Sequence, residues 1–166
     1  MIHWLQSPKS ANVAKYVECY WLIEKQHNSD INEYPKLNPD PSAHLIISPS
    51  KQAYHYDLNP GASHGKGSHW LFPHLQTFEL DHSQPFVHLG IKFRVGALYS
   101  LPCFAGSTLM LDKVEPLVES SLFKALGFDE RELITLAQHS PDQCGERLDT
   151  LLTPWLEKCT EDQHSK

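Results

Sequence analysis

The chain has 166 residues, 14 Lys and Arg against 20 Asp and Glu, and a formal net charge of −6 with histidine neutral. That length supports one domain with a real core and leaves room for a helical appendix. The acidic balance argues against a phosphate-binding surface, which needs clustered Lys and Arg; from Asp112 onward twelve acids face six Lys or Arg.

In chain order, Ser10 reads as an N-cap, and Val13 and Val17 at helical spacing predict a short helix over 10–17. Cys19-Tyr-Trp-Leu-Ile-Glu24 is aromatic and β-branched and predicts a strand, with a polar hairpin connection over 26–33. Residues 34–41 carry three prolines and read as extended or turning. Short apolar runs predict strands over 44–48, 53–57, 70–72 and 76–80. Gly and Pro dominate 59–68, which reads as a loop, and 81–85 reads as a turn. Val87, Leu89, Ile91, Phe93 and Val95 then alternate with His88, Gly90, Lys92 and Arg94, the period of a half-buried strand, and Gly96 turns the chain. After residue 100 the period becomes helical. A first helix is expected over 115–126, with Pro116 in its first turn and Gly127 as its stop. A second runs from an Asp129 cap to His139. A third opens at Pro141 and carries the stripe Leu148, Leu151, Leu152, Trp155 and Leu156. The fold class is therefore α+β: a mainly β barrel or jelly roll over 1–112, followed by a helical segment over 113–166.

Cys19, Cys103, Cys144 and Cys159 form no CxxC pair and read as reduced thiols of a cytoplasmic protein. The segment from Met1 to Pro8 lacks the basic start and apolar run of a signal peptide, and no stretch approaches a membrane span.

Histidines 44, 55, 64, 69, 74, 82 and 88 crowd the β region. A metal site needs imidazoles converging on one point. The series His64, His69, His74, Glu79 steps by five, and an odd step flips a strand side chain to the other face. No metal or other cofactor is expected. Ser48, Ser50 and Ser63 lack a nucleophile elbow, and Cys103 has no identifiable histidine partner, so no catalytic residue and no enzyme is expected. Gly61, Gly65 and Gly67 lack the Gly-Lys-Ser/Thr ending of a phosphate loop. The aromatics carry two readings that the sequence leaves open. They fill the barrel, or Trp21, Ile46, Trp70, Phe72 and Phe93 line an apolar pocket for one small ligand, with His44 as its polar contact.

Three segments in order carry a family resemblance: Lys15-Tyr-Val-Glu-Cys-Tyr-Trp21, Asn38-Pro-Asp-Pro-Ser-Ala-His-Leu-Ile-Ile47 and Leu89-Gly-Ile-Lys-Phe-Arg-Val-Gly-Ala97. Together they resemble the N-terminal cupin-like sensor domain of AraC-family transcription regulators over residues 10–115. Pro41 stands where that family usually has glycine, and Val95 where it has proline. The resemblance implies a domain that senses a small-molecule effector or mediates dimerisation. DNA would be bound only through a C-terminal pair of helix-turn-helix units beyond Lys166. A homodimer through the Leu148 to Leu156 stripe is expected, and no membrane partner. The competing readings are a small metal-dependent cupin enzyme, needing the histidines to converge, and a purely structural dimerisation module.

Overall fold

Alternating residues in the first two thirds of the chain build two open antiparallel sheets. The computed structural model describes residues 2–26, 36–37, 39–57, 62–80, 84–101, 111–117 and 126–164. In chain order the elements are β1 (Ile2–Gln6), α1 (Ala11–Ala14), β2 (Val17–Lys25), β3 (Lys36–Leu37), β4 (His44–Ile47), β5 (Ala53–Asp57), β6 (Ala62–Lys66), β7 (His69–Leu71), β8 (Phe78–Leu80) and β9 (Phe86–Phe93). A 3-10 turn (Ala97–Ser100), β10 (Val114–Pro116), α2 (Glu130–His139) and α3 (Pro141–His164) complete it. The first sheet has the order β1-β2-β9-β4-β7-β10 and the second β3-β8-β5-β6. The fold is α+β, as expected, but among the described residues the sheets do not join into a closed barrel.

The first sheet is the middle layer of three. Alternation sends Tyr20, Leu22, Leu45, Ile47, Trp70, Leu89, Ile91 and Phe93 to one face, where they share a buried cluster with Leu133 and Ala137 of α2 and Leu148, Leu152 and Trp155 of α3. The opposite face meets the second sheet through Ile46, Leu71 and Val114 against Tyr54 and Tyr56. Because both faces are covered, β4 and β7 are buried at every position.

Four local expectations change. The helix over 10–17 shortens to α1. Ser10 caps it by accepting the Val13 N–H (3.4 Å), but Val17 pairs with Phe93, so sheet pairing overrides helical spacing. The Gly-rich stretch expected as a loop contains β6, whose Gly65 lies opposite Tyr54 and under its ring. Glu115 and Pro116, expected to open a helix, instead lie in β10, which pairs with β7 at the sheet edge, where a proline is tolerated. The remaining helix positions 118–125 lie outside the described residues, as do most of the 26–33 connection, residues 81–83 with His82, and Cys103. β1, not expected from sequence, pairs with β2.

The α3 stripe does not project outward. Leu148, Leu152, Trp155 and Leu156 are buried within the chain, Leu151 is partly buried against the same cluster, and Trp155 meets Phe93 edge-on at 6.4 Å. Most of the apolar stripe that suggested dimerisation is covered by the first sheet and α2. Asp149 adds a polar strut. Its carboxylate accepts the Tyr20 hydroxyl at 2.6 Å and the Lys9 and Ser10 amides at 3.0 and 2.9 Å. No helix among the described residues is long and apolar enough to cross a membrane.

Candidate functional site

Two polar groups sit on the face of the first sheet that looks toward the second. The more open one begins at Gly90. Trp21 on β2 lies opposite Gly90 on β9, and a Cβ on Gly90 would come within 1.8 Å of the indole ring. Glycine is therefore the residue that lets this ring lie flat on the neighbouring strand. The indole Nε1–H then donates to His44 Nδ1 on β4 at 3.1 Å. Indole is a donor only, so His44 Nδ1 carries no proton, and its Nε2–H donates to Asp40 Oδ2 at 2.8 Å. Asp40 Oδ1 accepts the Ser42 amide at 2.8 Å, a local Asx turn that aims the carboxylate at the strand. Burial alone would raise the Asp40 carboxyl. The bonds from His44 and the Ser42 amide outweigh it and hold it at about 2.

The second group is sealed between the sheets. Tyr56 O–H donates to His69 Nε2 at 2.7 Å, and His69 Nδ1–H donates to the Gly67 carbonyl at 2.9 Å. Tyr54 stacks on the same imidazole with ring centres 3.9 Å apart. Burial pushes His69 down to about 4 against the pull of its bond to Gly67, so the ring is neutral at pH 7. Burial also raises the Tyr56 phenol. His88 stands edge-on to His69 at 5.9 Å, and its Nδ1 lies 2.7 Å from Ser48 Oγ. Ser48 has no solvent exposure, so this pair is a satisfied buried contact and not a presented nucleophile.

The six residues expected to line one pocket are divided by the sheet. Trp21, His44 and Ile46 share the face toward the second sheet. Trp70, Phe72 and Phe93 share the opposite face, where Trp70 stacks on Phe72 at 6.1 Å and approaches Phe93 at 5.7 Å beneath the helices. The histidines scatter likewise. His64 stacks with His55 across β5 and β6, His69 is sealed between the sheets, and His74 is buried where its backbone bridges Asp40. Among the described residues no three His, Cys, Asp or Glu side chains come together in a way that could hold a metal ion.

Sequence reading missed Asp40, Gly90 and the Tyr56–His69 pair. Asp40 had a signal in the Asp-Pro-Ser turn just before His44, and Gly90 in being a glycine inside an otherwise strong strand. The Tyr56–His69 contact had none, because it joins two sheets. In chemical terms, the Trp21 group offers a flat aromatic face bordered by an imidazole and an ionised carboxylate. That set suits recognition of a small ligand with an apolar body and a hydrogen-bond donor.

Compared with known families, residues 7–109 match the model of a family described as a domain of unknown function, DUF6597. No curated protein matches the chain.

Proposed function

This chain belongs to the DUF6597 family, and from that premise we propose that it is the ligand-sensing and dimerisation domain of an AraC-type transcription regulator, with a cupin-like β unit. The observation that supports this reading is the double use of the first sheet. Consecutive residues of β2 face opposite ways: Trp21 joins His44 and Asp40 on the open side, while Tyr20 is gripped by Asp149 of α3 on the other. An effector that favours one placement of Trp21 therefore biases the strand on which the helical segment rests. It shifts populations only by its differential affinity for the two arrangements. In this reading the domain is non-catalytic and works in the cytoplasm. It forms a homodimer, through a surface other than the covered α3 stripe, and reaches DNA only through a helix-turn-helix domain outside this chain.

A thermal-shift screen of a defined metabolite panel tests the sensing role. The expected result is a metabolite that raises the melting midpoint of the parent chain and fails to raise that of His44→Ala. If every stabilising metabolite acts equally on both proteins, the Trp21 group is not the effector site. Light scattering across a concentration series tests the dimer, and a monomer throughout removes that half of the proposal.

A further inference from the structure

We propose a second ligand site, separate from the Trp21 group: the open cleft between the turns at 49–51 and 66–68 and the start of α2 binds an organic anion with an apolar body. The cleft has a volume of about 1220 Å³, ample for a small organic molecule. It lies where the sheets meet the helical segment, so a ligand there would touch both.

Its charges are arranged for an anion. Lys51, Lys66 and Arg131 line it, and none of the three has an ion-pair partner among the described residues. Outside the cleft, Lys9 pairs with Glu146, Lys92 with Glu18 and Arg147 with Glu132, while Lys15, Lys113 and Lys158 have no ion pair among the described residues. The cleft is therefore distinguished by three cations gathered on one concave surface. Two carboxylates, Asp129 and Glu130, share the cleft with these three cations, which leaves the lining with a formal excess of positive charge. Asp129 is committed to capping α2, where it accepts the Glu132 amide. Burial pushes the Glu130 carboxyl up, against the pull of a hydrogen bond from Ser68.

The apolar part of the ligand is specified by Leu117, Phe128 and Ile134, which also line the cleft. The mouth is preformed. Gly67 adopts φ +80° and donates its N–H to the Gln52 carbonyl at 2.8 Å, locking the second turn to the first. A Cβ at Gly67 would meet the Ser50 carbonyl oxygen at 3.3 Å. An anion with an aromatic or aliphatic body satisfies the three cations and covers the apolar wall at once. A neutral ligand of the same shape does only the second.

The test is calorimetric titration of the full chain with 2-naphthoate and with its uncharged counterpart, 2-naphthamide. The amide is titrated into His44→Ala as well, so that any amide held by the Trp21 group is told apart from amide in the cleft. The expected result is saturable binding of naphthoate at one site per chain, about tenfold or more weaker for the amide and for the double variant Lys66→Gln, Arg131→Gln. Added salt weakens naphthoate binding and leaves the amide unaffected. His44→Ala binds naphthoate as the parent does. Equal affinity for acid and amide, unchanged binding by the double variant, or no saturable binding at millimolar naphthoate overturns the proposal. Loss of binding in His44→Ala alone also overturns it, and moves the ligand to the Trp21 group. That last outcome would leave the sensing proposal standing, so the two fail separately.

Discussion

On β4, Leu45 and Ile47 point to the helices while His44 and Ile46 point to the second sheet, and the same division runs through β2, β7 and β9. The helix side is mainly hydrocarbon and aromatic packing, with polar struts where Asp149 accepts the Tyr20 hydroxyl and Trp4 donates its indole N–H to the Ala137 carbonyl. The other side is smaller and polar at both ends, with the Trp21–His44–Asp40 chain at one and Tyr56–His69 at the other. One sheet thus carries a face that supplies stability through area and a face whose geometry depends on proton positions. Hydrogen-bonded aromatics contribute little net free energy, because folding exchanges their water partners for protein ones. What they provide is fixed orientation, which a binding surface needs and a core does not.

The sharpest way to break this comparison is to empty the helix side. Phe93→Ala should cost about 3–5 kcal/mol in chemical denaturation, and distinctly more than His44→Ala. Near-equal losses would mean that the two faces share the load.

Two groups on the other face make stability sensitive to acid. The folded His69 lies near 4 against an ordinary 6.5, so the unfolded chain takes up this proton first. Its contribution is complete above pH 6.5 and is lost as pH falls toward 4, amounting to about 3 kcal/mol. Asp40 follows in a lower window. Its carboxyl lies near 2 against an ordinary 3.8, so its contribution holds above pH 3.8 and disappears on the way down to 2, at about 2 kcal/mol. Denaturation midpoints measured across pH should show the upper loss absent in His69→Gln and only the lower one absent in Asp40→Asn.

Gly90→Ala tests the seat of Trp21. The new methyl group collides with the indole, so the ring must leave its place, at about 1–3 kcal/mol. The indole N–H resonance of Trp21 should shift sharply, and an unmoved resonance would show that the ring does not depend on that glycine. The smallest effect is expected for Trp21→Phe, which keeps a ring and removes the donor to His44, at about 1 kcal/mol. A loss as large as that of Phe93→Ala would place Trp21 in the load-carrying core instead.

Much of the fold was legible because its period is local. β2, β4, β5 and β9 announce themselves by β-branched and alternating residues, and α2 and α3 by an Asp129 cap, a Pro141 start and a leucine stripe. The elements that were not legible are short and exist by virtue of a neighbour. β1 and β10 are edge strands held by one partner each, and β6 runs through glycine because Tyr54 covers Gly65.

The residues of the site divide along the same line. Sequence alone determined that His44 and Ile46 share a face, and that Trp70 and Phe72 share one, because side chains on a strand alternate with a period of two. It could not determine that these two pairs face opposite ways. That depends on which residue of β4 stands beside which residue of β7, and a slip of one position would exchange the faces of a whole strand. The pairing of Leu45 with Trp70 and of Trp21 with Gly90 is a property of the assembled sheet. Only tertiary structure therefore decided that Trp21 meets His44 and Asp40 while Phe93 lies beneath the helices.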